Sequence, residues 1–187
     1  MVIVILSDSL YPTPIQCKGG ENKMRSSTKT LVIAAMFAAV ICVATLIVRI
    51  PTPMKGYMNL GDCAVLLAGW LLPPGWGFLA AGVGSGLADI FGGYPVYAPA
   101  TFVIKGLMAV IAHLGFKGLS RFGTFAAWLL SGLIAEVVMV FGYYGFEGAL
   151  YGFAPSLVNI PANAFQGLVG LIVGLILVKV FQKRIKI

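Results

Sequence analysis

Charged side chains are scarce in this chain, at 10% of its 187 residues, whereas soluble domains carry about 25%. Hydrophobic residues make up 59% of the sequence, and glycine occupies 24 positions. So few charges cannot solubilise so much apolar surface, which excludes a water-soluble globular domain. Glycine suits helices packed in lipid because it lets their backbones approach closely. The composition therefore predicts a polytopic membrane protein.

Cysteine and histidine are also scarce. The chain has three cysteines and one histidine: Cys17, Cys42, Cys63 and His113. An odd number of cysteines, two of them in apolar runs, predicts neither a disulfide framework nor a metal site. A single histidine with no paired nucleophile argues against triad chemistry. We therefore expect no catalytic residue, no metal and no cofactor.

Nucleotide-binding motifs are missing as well. No G-x-x-x-x-G-K-[ST] loop occurs, so the chain cannot power transport with ATP by itself. The net charge is +7, but the basic residues are dispersed at the ends of apolar segments. They do not form the basic patch interleaved with aromatics that nucleic-acid binding requires. We expect no nucleic-acid partner, and any energy for transport must come from other proteins.

Six apolar segments predict six transmembrane helices. A helix needs about 20 mostly apolar residues to span a bilayer, and turns rich in proline and glycine separate the segments. The segments are Thr28–Ile50, Leu60–Leu72, Trp76–Phe91, Pro99–Phe116, Phe125–Tyr144 and Ser156–Phe181. The second is expected to be short or tilted. The predicted fold is all-α, with residues 28–187 as the membrane domain and residues 1–27 as a poorly ordered extension.

The basic residues predict the orientation, because Lys and Arg are retained in short cytoplasmic loops. With the N-terminus inside, nine basic residues are cytoplasmic, whereas Arg49 and Lys55 are outside. The nine are Lys23, Arg25, Lys29, Lys117, Arg121, Lys179, Lys183, Arg184 and Lys186. We therefore predict that both termini are cytoplasmic. The outer loops are then residues 51–59, 92–98 and 145–155.

Four ionisable residues fall in the outward half of the predicted helices: Asp62, Asp89, Lys105 and Glu136. A charged side chain at mid-membrane costs about 2.5–3.5 kcal/mol on insertion scales, so these residues call for a function. Asp89 and Lys105 can form a structural ion pair or contact a ligand, and the sequence leaves both interpretations open. Glu136 has no evident partner and is the preferred ligand anchor. The pattern predicts a polar cup that opens outward.

Amides and tyrosines add to this cup. Asn159, Asn163 and Gln166 are four and three residues apart and therefore share one face of the last helix. They either line a pocket or bond neighbouring helices, and their depth, which matches that of the charges, favours the pocket. Tyr94 and Tyr97 belong to an outer loop, where they can form part of an interfacial belt or stack on a planar ring.

Helix one carries four alanines near its cytoplasmic end. They are Ala34, Ala35, Ala38 and Ala39, and their four-residue spacing makes a flat strip. The strip can pack within the bundle or dock a separate membrane subunit. The residues alone leave this open.

These features together resemble the substrate-binding S components of energy-coupling factor (ECF) vitamin transporters. The similarity runs from helix one to the C-terminus and rests on chain size, the six-helix pattern and five motifs. The motifs are Ala34-x-x-x-Ala38, Gly56-Tyr57-Met58-Asn59-Leu60-Gly61-Asp62, Gly84-Ser85-Gly86-Leu87-Ala88-Asp89, Gly93-Tyr94-Pro95-Val96-Tyr97-Ala98-Pro99 and Lys105-Gly106. They are most similar to the branch assigned to uptake of hydroxymethylpyrimidine, a thiamine precursor, or pyridoxine.

The resemblance implies a subunit of a bacterial plasma membrane that captures a vitamin outside the cell. It would dock through the four alanines on a transmembrane coupling (T) subunit that carries two cytoplasmic ATPase (A) subunits. The loop of residues 51–59 would close over the ligand, and the subunit would topple in the membrane to deliver it. The resemblance places the pocket in helices four to six and the outer loops. The predicted ligand contacts are Asn59, Asp62, Asp89, Tyr94, Tyr97, Lys105, Glu136, Asn159, Asn163 and Gln166.

Two other classes of protein are alternatives. A self-sufficient channel or proton-coupled transporter should carry ionisable residues at depths spanning both halves of the membrane, and the cytoplasmic half here is nearly bare. An intramembrane enzyme would have to use Asp62, Asp89 or Glu136, and no nucleophile and base are paired in the sequence. The sequence therefore favours the transport subunit.

Overall fold

The computed structural model describes residues 21–52 and 56–184. Six main helices follow one another: α1 (Glu21–Ile47), α2 (Gly61–Leu71), α3 (Pro74–Gly92), α4 (Ala98–Leu119), α5 (Thr124–Tyr151) and α6 (Ile160–Arg184). A 3-10 turn, Ser120–Phe122, precedes α5, and two short helical turns, Phe153–Ser156 and Leu157–Asn159, precede α6. The first 20 residues of the predicted N-terminal extension lie outside the described residues, and its last residues belong to α1.

The loop between α1 and α2 contains a β-hairpin that the all-α prediction did not include. Strand β1 (Arg49–Pro51) pairs antiparallel with strand β2 (Tyr57–Asn59), and Ile50 lies opposite Met58. The helix ends before Pro51 because the residue preceding a proline avoids helical backbone angles. Beyond the paired strands, the Thr52 N–H donates to the Gly56 carbonyl at 2.9 Å. The predicted outer loop is therefore an ordered hairpin at its base.

Helix α5 is longer than predicted. It continues past Tyr144 to Tyr151 and ends at Gly152, whose φ of 95° lies in a region that suits glycine. The segment from Gly145 onward contains no proline before Pro155, so nothing breaks the helix earlier. The predicted outer loop 145–155 was therefore wrong over most of its length. As a consequence, Glu147 lies on a helix instead of in a loop.

Helix α2 lies in the centre of the bundle. Each of its residues from Gly61 to Trp70 is buried, and it packs against α1, α3, α4 and α6. The Pro73-Pro74 pair ends it after 11 residues and begins α3. Because other helices cover it, α2 can carry polar side chains at its first turn without placing them in lipid.

Glycines allow the closest helix contacts. A Cβ placed on Gly69 of α2 would lie 2.6 Å from the Ala109 carbonyl oxygen of α4. A Cβ on Gly84 of α3 would lie 2.5 Å from the Ala38 carbonyl oxygen of α1. Neither backbone atom can move aside without separating the helices, so the glycines set the interhelical distance.

Gly69→Ala is expected to lower the free energy of unfolding by about 1–3 kcal/mol, because the added methyl group overpacks the contact between α2 and α4. Thermal unfolding of the purified protein in detergent measures the effect. Gly118→Ala, on α4, is the matched control, since its Cβ would meet nothing within 4 Å. Equal unfolding midpoints for Gly69→Ala and the parent would contradict the packing argument.

The outer surface of the bundle is apolar. Large exposed hydrophobic side chains occur along the helices, among them Val43, Leu79, Leu107, Leu133 and Ile172. Within the described residues, four segments are long and apolar enough to cross a membrane: Thr28–Ile47, Ala98–Phe122, Thr124–Tyr151 and Phe153–Gln182. Helix α2 is a shorter apolar helix. Apolar surface outside and polar groups inside is the arrangement expected of a protein dissolved in lipid.

The four alanines of α1 do not form one exposed strip. Ala34 is buried, and Ala38 lies against Gly84 of α3. Ala35 and Ala39 are exposed. Adjacent helical positions are rotated by about 100°, so the two pairs lie on different faces. The strip as predicted is therefore divided between an interior contact and a free surface.

The end of the bundle away from the hairpin is packed with aromatic rings. Phe116 stacks on Trp128 with ring centroids 5.7 Å apart, and Trp70 lies 6.5 Å from Trp128. The Trp70 Nε1–H donates to the Ser131 hydroxyl at 3.0 Å. Because aromatic rings fill this end of the bundle, the buried polar residues lie at the other end, beneath the hairpin.

Candidate functional site

Buried polar side chains gather at the hairpin end of the bundle around a small cavity. Eleven residues from the hairpin and from α3, α4, α5 and α6 line it: Thr52, Gly56, Tyr57, Asn59, Asp89, Tyr97, Thr101, Tyr143, Glu147, Asn163 and Gln166. About 20 Å³ of this cavity is accessible to water, which is room for about one water molecule. The described conformation is therefore closed.

The hairpin covers the cavity, and three hydrogen bonds between described residues hold it there. The Tyr57 hydroxyl donates to Asp89 Oδ1 at 2.6 Å, and the Asn59 N–H donates to Gln166 Oε1 at 2.9 Å. The Arg49 guanidinium donates to the Gly92 carbonyl at 3.0 Å. Burial, together with the Asp89 carboxylate, raises the pKa of Tyr57, so its hydroxyl keeps its proton and remains a donor.

An ion pair lies beneath the cavity. Lys105 Nζ of α4 donates to Asp62 Oδ1 of α2, and both side chains are almost fully buried. Gln166 Nε2 donates to the other Asp62 oxygen at 2.7 Å. Lys105 therefore pairs with Asp62, which corrects the interpretation that paired it with Asp89. Gln166 joins the ion pair to the hairpin because its oxygen accepts from Asn59.

Glu147 of α5 forms one side of the cavity. Its Oε1 accepts from Asn159 Nδ2 at 2.9 Å and from the Tyr97 hydroxyl at 3.4 Å. On the neighbouring side, the Thr101 and Tyr143 hydroxyls are 3.0 Å apart. Glu147, Thr101 and Tyr143 were absent from the predicted site. Glu147 was missed because the sequence reading ended helix five at Tyr144.

Glu136 is buried below the cavity and does not line it. Its exposed fraction is 4%, and neither carboxylate oxygen has a hydrogen-bond partner among the described residues. A Cβ on Gly170 of α6 would lie 3.3 Å from Glu136 Oε1 and 2.6 Å from Asp62 Cβ. Glu136 is thus a neighbour of the ion pair.

The structure divides the ten predicted contact residues into two sets. Five of them line the cavity: Asn59, Asp89, Tyr97, Asn163 and Gln166. Five lie outside the lining: Asp62 and Lys105 in the ion pair, Glu136 beside it, Asn159 against Glu147, and Tyr94, whose ring lies 4.7 Å from that of Tyr57. Helical spacing predicted the lining positions of Asn163 and Gln166, whereas Asn159, which was placed on the same face, precedes α6. The hairpin residues Thr52, Gly56 and Tyr57 were missed as individual contacts, although the loop that carries them was predicted to cover the ligand.

An apolar helical bundle that encloses a polar cavity under a hairpin defines a membrane protein that binds a small polar molecule. Comparison with known proteins narrows this class. A family model described as "ECF-type riboflavin transporter, S component" matches residues 25–183. The chain therefore belongs to this family.

Individual proteins also match the chain in sequence or in fold. The chain is 38% identical over 146 residues to an uncharacterized protein in the gap 3' region of Pyrococcus woesei. This match covers 78% of this chain and 96% of that protein. The fold is similar to the S component of a bacterial ECF transporter, with a TM-score of 0.68, 24% identity, and coverage of 86% of this chain and 99% of the other. The S component for biotin from an ECF-type ABC transporter gives a TM-score of 0.48 at 20% identity. The match covers 87% of this chain and 95% of the other.

Family membership confirms the resemblance to S components. The chain is a vitamin-binding, multi-pass plasma-membrane subunit of an ECF transporter, and it is a transport subunit and not an enzyme. Hydroxymethylpyrimidine and pyridoxine as substrates stay predictions.

Proposed function

We propose that this chain captures a small planar vitamin in the cavity beneath the hairpin and delivers it to a transmembrane coupling subunit driven by two cytoplasmic ATPases. The observation that carries the proposal is the cavity itself. Carboxylate, amide and tyrosine side chains line it, inside a bundle whose outer surface is apolar. A few convergent polar groups of this kind orient small molecules in their binding sites.

Riboflavin is the first substrate to test, because it appears in the description of the matching family model. Hydroxymethylpyrimidine and pyridoxine, which the sequence motifs favour, are the second. All three offer a flat ring that the tyrosines Tyr57, Tyr97 and Tyr143 can contact. They also offer hydroxyl or ring N–H groups to the amides and carboxylates of the lining.

Entry of any of these vitamins requires the hairpin to move, because the closed cavity has room for about one water molecule. A hydrogen bond contributes about 0.5–1.5 kcal/mol net, so the three that hold the hairpin contribute about 1.5–4.5 kcal/mol. If opening the hairpin requires a free energy of this size, a minor fraction of the molecules is open at any time and can admit the ligand. The hairpin thus fits the role of a lid that closes over the bound vitamin.

The proposal is tested by calorimetry on the purified protein in detergent with riboflavin, hydroxymethylpyrimidine, pyridoxine and thiamine. We expect one of them to bind with submicromolar affinity. Asn163→Ala should weaken its binding about tenfold, because Asn163 lines the cavity and its amide offers hydrogen bonds to the ligand. Gln182→Ala, an exposed amide on the same helix, is the control. Binding of none of the four would refute the proposal.

For the topology, we propose six spans with both termini cytoplasmic and the hairpin end outside. Helix α3 has 19 residues and is therefore about 28 Å long, which is close to the thickness of the hydrocarbon core. The exposed basic residues Lys117, Arg121 and Lys179 lie at the end opposite the hairpin. Retention of positive charge in the cytoplasm supports this orientation.

For the docking surface, we propose the exposed face of α1 that contains Ala35 and Ala39. Ala39→Trp is expected to abolish co-purification with the T subunit and to leave vitamin affinity unchanged, because the indole would hold another helix away from this face. Ile172→Trp places the same ring on the exposed side of α6 and should have no effect. Normal co-purification of Ala39→Trp would exclude this face as the docking surface.

A further inference from the structure

Glu136 of α5 is a buried carboxylate that does not line the cavity. It is 4% exposed, and neither of its oxygens has a hydrogen-bond partner among the described residues. It packs against two glycines of α6: a Cβ on Gly167 would lie 2.9 Å from Glu136 Oε2, and one on Gly170 would lie 3.3 Å from Oε1. Burying an ionised carboxylate without a partner is costly, and buried acceptors are rarely left unpaired. We therefore expect Glu136 to have a donor in another state of the protein.

Lys105 points towards the face of α5 that carries Glu136. Its Nζ pairs with Asp62 and lies 5.4 Å from the centre of the Tyr143 ring. Tyr143 follows Glu136 by seven residues and therefore shares its face of the helix. Glu136 also interacts electrostatically with both Asp62 and Lys105. Because a lysine has three N–H donors on a flexible four-carbon chain, Lys105 can turn from one carboxylate to the other.

The two carboxylates differ in their connection to the hairpin. Asp62 Oδ2 accepts from Gln166, which lines the cavity and accepts in turn from the Asn59 N–H of strand β2. Glu136 has no hydrogen bond to either residue. Opening of the hairpin would break the bond between Asn59 and Gln166, and water that enters the cavity would then reach Asp62 before it reaches Glu136. Hydration could thus replace the lysine at Asp62 but not at Glu136.

We propose that Lys105 exchanges between two carboxylates, pairing with Asp62 when the hairpin is closed and with Glu136 when it is open. The inference rests on the opening of the hairpin that the proposed function requires. The closed state leaves Glu136 unpaired, so this carboxylate favours reopening and thereby release of the vitamin. Glu136 is a positioning residue, because it acts through Lys105 and does not touch the vitamin.

Hydrogen exchange of the hairpin amides, measured by mass spectrometry on the full-length protein in detergent without vitamin, reports how often the hairpin opens. Glu136→Gln removes the partner of Lys105 in the open state and should slow exchange in Tyr57–Asn59 at least about threefold. Asp62→Asn removes the partner in the closed state and should accelerate it at least about threefold. Peptides from residues 116–131, at the aromatic end, are the internal control and should exchange as in the parent.

Dependence on Lys105 separates the exchange from a purely structural role of Glu136. In a Lys105→Met background, Glu136→Gln should alter hairpin exchange by less than about 1.5-fold, because no lysine remains to move. Unchanged or faster hairpin exchange in Glu136→Gln alone overturns the inference, and so does a slowing of equal size in the Lys105→Met background. If the Lys105→Met protein does not fold, the single variant decides. No vitamin is present in this experiment, so its outcome is separate from that of the calorimetry that tests the proposed function.

Discussion

Lys105→Met is expected to destabilise the protein by about 3–5 kcal/mol, because it leaves the Asp62 carboxylate buried without its cation. Asp62 has no exposed surface in the structure and would share its surroundings with a second carboxylate, Glu136. At about 2–4 °C per kcal/mol for a chain of this size, the unfolding midpoint should fall by about 6–20 °C. Thermal unfolding in detergent measures the shift.

Lys117→Met removes a lysine from the exposed end of the same helix and should leave the midpoint within about 2 °C of the parent. A double variant, Asp62→Asn with Lys105→Met, should recover part of the loss, because it removes both charges together. If Lys105→Met and Lys117→Met unfold at the same temperature, the ion pair does not stabilise the bundle.

The helices were predictable because membrane spans have a simple signature of length and hydropathy. Predicted and observed bounds agree within a few residues for α2, α3 and α4. The spacing of Asn159, Asn163 and Gln166 predicted one shared face of the last helix; Asn163 and Gln166 do line the cavity, whereas Asn159 precedes α6 and donates to Glu147. These successes rest on local rules: apolar length, proline breaks and the helical repeat.

The partners of the charged residues were not predictable, because they depend on how each helix is rotated about its axis. Span length carries no information about rotation, and a shift of one residue turns a side chain by about 100°. The pairing of Lys105 with Asp62 joins residues 43 positions apart in the sequence. For the same reason, the sequence could not show that Ala34 and Ala38 face the interior while Ala35 and Ala39 face outward.

Glu147 shows a second limit of sequence reading. The aromatic and glycine-rich segment 145–155 was predicted to be an outer loop, and Glu147 was not among the predicted site residues. In the structure the segment is the last part of α5, and Glu147 is 2% exposed. The absence of proline between Tyr144 and Gly152 was the signal that could have placed this residue in the site.

Gln166 is the residue through which the lid and the ion pair are connected. Its oxygen accepts from the Asn59 backbone N–H, and its nitrogen donates to Asp62 Oδ2. Gln166→Leu keeps a similar volume but removes both hydrogen bonds. Leaving a buried donor or acceptor unpaired costs about 1–3 kcal/mol, so the expected loss of stability is about 2–6 kcal/mol.

The same substitution should weaken vitamin binding about two- to tenfold, because the hairpin then loses one of the three hydrogen bonds that close it over the cavity, each contributing about 0.5–1.5 kcal/mol. Thermal unfolding and calorimetry on one preparation measure both effects. Gln182→Leu makes the same chemical change at an exposed position of α6 and should alter neither quantity. A Gln166→Leu protein with parental stability and parental affinity would show that the lid closes independently of the charged residues beneath it.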